Sequence, residues 1–582
     1  MAVDLSVSFG QILETPTIFP TEDGRVEVII TNNGDSRFQG RVGLNLYAST
    51  DAELDSINEA EASLPAVLEG EDERLNDNPL TRRVNLAPGA SRTITLDFST
   101  SQLRTASVVA PGAYFLLAEI DPGDRVSESD ETNNIASQFI STDGTDVVAD
   151  WNSVFLNAVQ ESGADAYGYG SDNQDGTIPP VVPRNGAVLH TAIYDTVINF
   201  EGGFEPFAVD ATPPEGASVE AAVVGAAFTV LNTLYPDQQA DFAAQRDRSL
   251  AEINDSPEAE QAGFDFGVGV ANQLIDLRDS DFATPPSPVF QPSDDPGTWR
   301  PIIDGQPQTP VGPQFESVPP FFIPSTQQFR TDGPPQFGSP LFALETEEVR
   351  ELGALKDTDV TNVTRTDDET EIAQFWSYDR TDTFRPAGQW NQIGQSLVLL
   401  SQESGEDLTV AETSRLFALL NIAMTDAGVV SWDSKFDFLQ LRPEQTINAD
   451  PENEIVGMPG GVDFDGNPIS IEDPDWDPLI GTPAFPDYTS GHAAFGAAAA
   501  EVFKSFFGTD NFSFELPSQE LPGVARSYGS FSQAAEENAE SRIFGGIHIR
   551  SSADEGLASG AAVGLFVAEN ALLPTNTEVF LA

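Results

Sequence analysis

The residues of this chain with the greatest capacity for chemistry are its histidines and a few basic residues, which gather in three short segments of the C-terminal half. Only three histidines and 27 lysines and arginines are present, against 93 acidic residues. In the first segment, SKFDFLQLRP, Lys435 and Arg442 are seven residues apart, which predicts one shared helix face on a helix that Pro443 ends. Two cations on one face suit an anion, although the same spacing is typical of basic side chains that extend into water.

The second segment predicts the start of a helix. In TPAFPDYTSGHAAFGAAAAEVF, a turn after Pro486 leads to Ser490, Gly491 and His492, and an Ala-rich helix follows. A helix N-terminus offers free backbone N–H groups and the positive end of the helix dipole, so it can bind an anion. Gly491 would let the backbone approach that anion closely, and Ser490 would add a hydroxyl donor. The alternative is a helix cap without a ligand.

The third segment is ESRIFGGIHIRSSADEG, in which Arg542 and His548 are six residues apart. On an unbroken helix their side chains would point about 240° apart, so they converge only if the helix stops between them. Gly545 and Gly546 predict that break, because glycine tolerates the backbone angles of a helix end. A flexible glycine turn beside an unrelated histidine is the alternative.

Together the three segments predict a site for a tetrahedral oxyanion such as phosphate or vanadate. Three cations and a helix N-terminus would hold its oxygens by charge-assisted hydrogen bonds. One histidine would attack or ligate the central atom, and the other would transfer protons.

The elements that must position these residues fall into two regions. Residues 1–140 indicate an all-β, immunoglobulin-like sandwich, because Val26, Val28 and Ile30 alternate with polar neighbours and turn signals such as Asn32-Asn33-Gly34 recur. Residues 141–150 are polar and predict a linker. Residues 151–582 predict a mainly α-helical bundle, interrupted by a Pro-rich loop at about 285–340. The fold class is therefore multidomain, all-β followed by mainly α.

Composition excludes several functions. The chain has no cysteine, which rules out disulfides and thiolate sites. The formal charge of −66 argues against nucleic-acid partners and suits either a salty medium or simple solubility. No apolar run is long enough for a transmembrane segment. The start, MAVDLSVSFG, lacks the regions of a signal peptide, so a place outside a bacterial cell or on its surface would need non-classical or type I export.

The three segments, in this order and with these spacings, resemble the signature shared by vanadium-dependent haloperoxidases and type-2 phosphatidic acid phosphatases. The resemblance implies a vanadate cofactor, with His548 as the vanadium ligand and His492 and Lys435 as the catalytic residues. The vanadate oxygens would be bound by Lys435, Arg442, Ser490, Gly491 and Arg542.

Further motifs resemble the haloperoxidase branch, among them RNGAVLHTAIYDTV, GTWRP, FWSYD and AGQWNQI. Trp432 and Phe485 stand where fungal chloroperoxidases have the aromatic residues near the halide, and Asp379 matches the acidic partner of the second arginine. His190, in the first of these motifs, lies in an apolar helical stretch and is expected to be a buried structural residue.

Two positions depart from the family pattern. Thr489 replaces the usual proline before Ser-Gly-His, a mild change. Ser552 replaces an aspartate four residues after the ligand histidine, which leaves the ring of His548 without its usual partner. Asp554 is the expected substitute, and without one the loss of a residue that orients a metal ligand would weaken metal binding or turnover.

The segment from Gly112 to Asn134 resembles the closing strands of the bacterial adhesion-related CARDB domain, and this resemblance implies contact with a cell surface or matrix. Its acidic loop also offers oxygen ligands for Ca²⁺, although acidic loop residues are commonly only solvated. The candidate ligands are Asp121, Asp124, Glu128, Asp130 and Glu131.

The resemblance implies oxidation of chloride, bromide or iodide by hydrogen peroxide to hypohalous acid, which would then halogenate a small organic acceptor. Two alternatives stay open. One is an acid phosphatase in which His548 forms a phosphohistidine. The other is an adhesion protein whose second domain is inactive, which the complete set of site residues argues against.

Overall fold

The sandwich predicted for the N-terminal region is present in the computed structural model. The model describes residues 3–14, 23–49, 73–74, 81–99, 113–122, 125–126, 128–129, 133–141, 146–162, 177–282, 290–293, 295, 297–303, 306–404, 407–448, 472–521 and 524–575. The first nine strands are β1 (Leu5–Glu14), β2 (Asp23–Asn32), β3 (Phe38–Val42), β4 (Leu44–Ser49), β5 (Glu73–Arg74), β6 (Arg82–Leu86), β7 (Ser91–Ser99), β8 (Ala113–Ile120) and β9 (Ile135–Ser141).

Antiparallel pairing joins β1, β2 and β7 in one sheet and β5, β4, β8 and β9 in another, while β3 pairs with β6. Val26, Val28 and Ile30 are fully buried, and they share one core with Leu46 and Leu116 of the other sheet. The apolar residues at every second position of β2 therefore point into the sandwich, as the sequence predicts.

The remaining elements are almost all helices. They are α1 (Val147–Glu161), α2 (Val181–Glu201), α3 (Val219–Leu234), α4 (Gln239–Glu252), α5 (Pro257–Phe282), α6 (Pro340–Gly353), α7 (Asp367–Phe375), α8 (Arg385–Ser404), α9 (Val410–Phe438), α10 (Pro443–Ile447), α11 (Gly491–Phe507), α12 (Phe531–Phe544) and α13 (Arg550–Asn570). Two short hairpins pair β10 (Ile302–Ile303) with β11 (Gln306–Pro307) and β12 (Phe514–Pro517) with β13 (Ala525–Tyr528). Within the described ranges, no helix combines the length and apolarity needed to cross a membrane.

The chain divides into two compact units. One contains Met1–Thr145 with Glu515–Arg526, and the other contains Asp146–Phe514 with Ser527–Ala582. Helix α1 begins inside the segment predicted as a linker, because the side chain of Asp146 caps it by accepting hydrogen bonds from the N–H groups of Val148 and Ala149. The domain boundaries drawn from the sequence otherwise stay a prediction.

Helix α9 is the central helix of the second unit. Thr409 and Glu412 form a capping box at its start, and every residue from Leu416 to Phe436 is buried. The helix ends at Phe438, because Leu439 adopts a left-handed conformation with φ of 50°. The prediction that Lys435 and Arg442 share one helix face is therefore wrong.

Pro443 begins α10 and does not end α9. Proline suits the first position of a helix, where its fixed φ is favourable and its missing N–H needs no partner. Arg442 precedes it as the N-cap of α10, with φ of −75° and ψ of 153°. The two cations consequently come from separate helices on either side of a turn.

Helices α11 and α13 pack with their backbones unusually close. Glycines at every fourth position of α13 face α11, where a larger side chain would collide with carbonyl oxygens. A Cβ added at Gly556, Gly560 or Gly564 would lie 2.8, 2.2 or 2.5 Å from the carbonyl oxygens of Ser490, Ala494 or Ala498. This packing fixes the distance between the N-termini of the two helices.

The Pro-rich stretch is anchored on α9. The Asp426 carboxylate accepts hydrogen bonds from the backbone N–H groups of Phe322 and Ile323, at 2.9 and 2.7 Å. Seven residues further along α9, Asp433 forms an ion pair with Arg330, and the distance from Arg330 Nε to Asp433 Oδ2 is 3.1 Å. The loop thereby reaches the part of α9 that carries Trp432 and Lys435.

Candidate active site

The three segments singled out in the sequence meet at one place. Lys435 lies in the last turn of α9, Arg442 precedes α10, and Arg542 lies in the last turn of α12. Ser490 is the N-cap of α11, and His548 lies between α12 and α13. All of these side chains are buried. The ends of α9 to α13 therefore surround the site.

These elements border a small, partly open cavity. Gly491, His492, Arg542 and His548 line it. The rest of the lining is largely aromatic residues and prolines, namely Pro179, Asp379, Pro386, Trp432, Pro483, Phe485 and Phe495. Charged and polar side chains thus share the lining with aromatic residues and prolines, a composition that suits a ligand site.

Lys435 is held by the loop that leads into α11. Its ammonium donates hydrogen bonds to the backbone carbonyls of Pro486 at 3.1 Å and Asp487 at 2.8 Å, and also to that of Thr489. Burial lowers the pKa of Lys435 well below its usual value, and the nearby Arg442 lowers it further. Because an ammonium has three N–H donors, all of them are used in this arrangement.

The two arginines have free donors inside the protein. Arg442 donates from Nε to the carbonyl of Phe485 at 2.8 Å and from Nη1 to that of Ile547 at 2.7 Å. Among the described residues, Arg442 Nη2 and Arg542 Nε are buried and have no hydrogen-bond partner. Unpaired guanidinium N–H groups are costly when buried, so this arrangement fits a bound oxyanion that would accept from them.

His548 has a defined tautomer. Arg442 Nη1 lies 3.1 Å from His548 Nε2, and because a guanidinium only donates, Nε2 must hold a lone pair. Nδ1 then carries the proton and donates to Asp487 Oδ1. Burial, followed by repulsion from Arg442, lowers the pKa of His548 well below its usual value. A neutral ring with a bare Nε2 is the form that can ligate a metal or attack phosphorus.

The expectation that Asp554 orients His548 is wrong. Asp554 is exposed at the surface, where it lies near Arg550, whereas Asp487 contacts the ring directly. Ser552 is buried, and burial raises the pKa of Asp487 to about 6, with Arg442 and Lys435 opposing the rise. Sequence reasoning missed Asp487, although an acidic residue three positions before Ser490 in a basic site was a usable signal.

His492 has the opposite tautomer. Its Nε2 lies 2.8 Å from the carbonyl oxygen of Ser377, which can only accept, so Nε2 carries the proton and Nδ1 holds the lone pair. Burial lowers the pKa of His492 to about 3, with Arg542 adding to the effect and Asp379 opposing it. The ring lines the cavity as a neutral proton acceptor.

Asp379 forms a buried ion pair with Arg542, the arginine that the family resemblance gave it as a partner. Burial alone would raise the pKa of Asp379, but Arg542, His492 and Arg385 together hold it below the usual value. The carboxylate therefore stays ionised, and it limits the excess positive charge beside the cavity.

The two aromatic residues predicted to border a halide lie in contact at the same cavity. The ring centroids of Trp432 and Phe485 are 5.2 Å apart, and Phe495 stacks on Trp432 at 6.3 Å. Lys435 Nζ lies 5.0 Å from the centre of the Phe485 ring. An apolar wall close to a cation can bind a weakly hydrated anion, so the geometry is compatible with the predicted halide pocket.

His190 lies outside the site. It is fully buried, stacks on Phe417 with centroids 5.0 Å apart, and donates from Nε2 to Asn152 at 3.1 Å. The calcium site stays a prediction, because Asp124, Asp130 and Glu131 lie outside the described residues. The other two candidates make internal hydrogen bonds: Asp121 accepts from the N–H of Val126 at 2.6 Å, and Glu128 from that of Leu5.

Comparison with known proteins agrees with this arrangement. The chain matches the VCPO second helical-bundle domain over residues 415–576, which contain the predicted site residues except Asp379, and CARDB over residues 2–138. It is 28% identical over 491 residues to the vanadium chloroperoxidase of Curvularia inaequalis, which covers 69% of this chain and 77% of that protein.

Solved structures give the same result. The first bacterial vanadium-dependent iodoperoxidase is 25% identical, with a TM-score of 0.60 over 74% of this chain and 98% of that chain. A bacterial vanadium-dependent chloroperoxidase in its holo form matches in fold, with 15% identity and a TM-score of 0.51 over 67% of this chain and 91% of that chain. In these likenesses and in its convergent site, the helical region of the chain is similar to vanadium haloperoxidases, and the region before it matches CARDB.

Proposed function

We propose that this protein is a vanadate-dependent haloperoxidase, which uses hydrogen peroxide to oxidise a halide to hypohalous acid. One observation carries the proposal. Arg542 and His548 line a cavity, Arg442 contacts the unprotonated Nε2 of His548, and among the described residues each of the two arginines has a buried N–H group without a partner. That combination suits an oxyanion whose central atom takes a nitrogen ligand. The relatives named as haloperoxidases support vanadate as that oxyanion.

The residues for vanadate follow from their donors. Arg442 and Arg542 would donate to its oxygens from their free N–H groups, and the first backbone N–H groups of α11, beside Ser490 and Gly491, would add further donors. His548 Nε2 would be the ligand to vanadium. Bound vanadate would supply a Lewis acid that activates peroxide without changing its own oxidation state.

Lys435 has a more restricted part in this structure than the resemblance implies. Since three backbone carbonyls occupy its three N–H donors, it can reach an oxyanion only by giving up one of them. Its present contacts hold the loop from Pro486 to Thr489 against α9. We infer that Lys435 organises this loop and contributes positive charge, and that any direct hydrogen bond to the oxyanion replaces a carbonyl contact.

His492 is the residue placed to move protons. Its Nε2–H is bound to Ser377, so Nδ1 is the atom that can accept a proton from peroxide and later return it. The neighbouring Asp379 carboxylate would stabilise the charged imidazolium that forms for part of the cycle.

Trp432 and Phe485 would border the halide. Their rings offer an apolar surface next to Lys435 and Arg442, where a chloride, bromide or iodide ion loses less hydration energy than a multivalent anion. The named relatives include both chloroperoxidases and an iodoperoxidase, so the halide stays open. Because the cavity is small, hypohalous acid would leave it and halogenate an organic acceptor outside the site.

The test is bromination of a phenolic dye by metal-free protein with peroxide and bromide, before and after addition of orthovanadate, with phosphate as competitor. We expect activity only with vanadate, inhibition by phosphate, and loss in His548→Ala. His190→Gln is the matched control, because it removes a buried histidine away from the cavity and should retain activity. Hydrolysis of p-nitrophenyl phosphate without bromination would support the acid phosphatase with a phosphohistidine instead.

A further inference from the structure

We propose that Asp487 is the positioning residue of His548, and that it replaces from the loop before α11 the carboxylate that related enzymes carry four residues after the ligand histidine. The identity of the bound oxyanion rests on the proposed function. The role itself does not, because it concerns any oxyanion that His548 meets.

Asp487 is fixed on every side. Its backbone N–H donates to the carbonyl of Gln440 at 3.0 Å, and its own carbonyl accepts from Lys435 at 2.8 Å. Its carboxylate accepts from the N–H of Ile549 at 3.3 Å through Oδ2 and from His548 Nδ1 through Oδ1. The residue is fully buried. Asp487 therefore joins the end of α9 to the start of α13 and holds the imidazole between them.

This contact decides which nitrogen of His548 faces the ligand. A carboxylate without a proton can only accept, so it keeps the proton of the neutral ring on Nδ1. Nε2 is then left with the lone pair that Arg442 meets at 3.1 Å. Without Asp487 the ring would be free to rotate or to place its proton on Nε2, and the protonated Nε2 cannot ligate vanadium or phosphorus.

The positions 487 and 552 are complementary. The N–H of Ser490 donates to the carbonyl of Ser552 at 2.9 Å, which places the loop directly beside the first turn of α13. The Ser552 side chain is buried at this junction, and within the described part of the chain its hydroxyl has no hydrogen-bond partner. An aspartate at 552 would consequently put two carboxylates against one buried ring, with strong mutual repulsion. Serine is the residue that leaves room for Asp487.

The experiment compares four proteins: the wild type, Asp487→Ser, Ser552→Asp and the double variant. Affinity for orthovanadate, and separately for phosphate, is measured by calorimetry on the metal-free full chain. We expect each single variant to bind about 10- to 100-fold more weakly, as losses of a residue orienting a metal ligand generally do. The double variant should recover most of the affinity, because one carboxylate again meets Nδ1.

The tautomer supplies a readout that needs neither activity nor vanadate. Solid-state nitrogen NMR of ¹⁵N-histidine protein is feasible because only three histidines contribute, and the His548→Ala spectrum identifies the signals of His548. Nδ1 should be the protonated nitrogen in the wild type and the double variant. In Asp487→Ser a second population protonated at Nε2 should appear.

Asp195→Ser is the matched control, since it removes another fully buried carboxylate that accepts from the backbone N–H groups of Ala208 and Val209. It should retain vanadate affinity.

Should Asp487→Ser not fold, Asp487→Asn keeps the shape of the side chain and one acceptor oxygen, and it should show a smaller loss of vanadate affinity. Unchanged affinity or tautomer in the folded Asp487 variant, an equal loss in Asp195→Ser, or no recovery in the double variant would overturn the role. Absence of halide oxidation in a wild type that still binds vanadate would count only against the proposed function.

Discussion

At the cavity, two histidines with opposite tautomers lie within one cluster of positive charge. Ser377 fixes the proton of His492 on Nε2, whereas Asp487 fixes that of His548 on Nδ1. Each ring therefore presents a different nitrogen as acceptor. Under the proposed function, the hydrogen-bond partners would assign one ring to oxyanion binding and the other to proton transfer.

His492→Ala should separate these two roles. We expect halide oxidation to fall by about 10²- to 10⁴-fold, the usual contribution of a general acid–base group, while the vanadate affinity changes little. His548→Ala should instead lose vanadate binding itself. Turnover under saturating vanadate, measured beside calorimetric binding, checks the difference. A His492→Ala protein that binds vanadate as poorly as His548→Ala would show that His492 is part of the binding site.

His190 should make the fold sensitive to acid. Burial lowers its pKa to about 3, whereas the unfolded chain has a histidine pKa near 6.5. Between these values the unfolded state binds a proton that the folded state does not, so stability is complete above pH 6.5 and is lost as the pH falls. At pH 5 the loss from this one group is about 2 kcal/mol.

Denaturant unfolding at pH 7 and pH 5 measures this effect. His190→Gln keeps an amide donor for Asn152 and should lose less stability between the two pH values than the wild type, whatever its stability at pH 7. Equal losses in both proteins would mean that His190 is already protonated in the fold or that other groups dominate the acid response.

Among the elements, the helix termini explain most of what the site does. Ser490 begins α11 and Gly545 follows the end of α12, as the sequence predicts, because capping residues and glycines report local backbone needs. The course of the chain between Lys435 and Arg442 was not predictable in the same way. A seven-residue spacing and a proline fit a continuing helix and a helix start equally well, and the left-handed Leu439 decides between them.

In the site, too, local signals were visible in the sequence, whereas contacts between distant parts of the chain were not. The basic residues and histidines were visible as a scarce set with meaningful spacing. Asp487 was one aspartate among many acidic residues, and only the fold places it beside His548. The sequence showed that position 552 lacks the expected aspartate. Asp487, which takes the place of that aspartate, lies 65 positions earlier in the chain, and no local pattern connects the two positions. Contacts of this kind depend on tertiary packing.

The close packing of α11 and α13 predicts that a larger residue between them will destabilise the fold. Gly560→Ala would place a Cβ 2.2 Å from the carbonyl oxygen of Ala494, so the helices must separate. We expect a loss of about 1–3 kcal/mol of unfolding free energy, as overpacking usually costs, and weaker vanadate binding because both helix N-termini border the site. Gly269→Ala is the control, since nothing lies within 4 Å of its added Cβ. It should be neutral or slightly stabilising. Unfolding curves and calorimetric binding of both variants test this, and a Gly560→Ala protein as stable as Gly269→Ala would contradict it.

For the whole molecule, the dominant quantity is the net charge of −66. At low ionic strength these charges repel one another over a Debye length of about 10 Å, which falls to about 3 Å at 1 M salt. Folding concentrates the charges, so screening should favour the folded state. We expect the melting temperature of the metal-free protein to rise steadily from 0.1 to 1 M sodium nitrate.

The same field would act on the halide of the proposed reaction, because this ion must approach an acidic surface before it meets the few buried cations near the cavity. Screening weakens that repulsion, so the KM for bromide should fall as sodium nitrate is added, while the KM for uncharged hydrogen peroxide should not. Potassium nitrate should act like the sodium salt if screening is the cause. A bromide KM that rises with nitrate would instead indicate that nitrate competes in the halide pocket, and a KM unaffected by either salt would mean that the surface charge lies too far from the cavity entrance to matter.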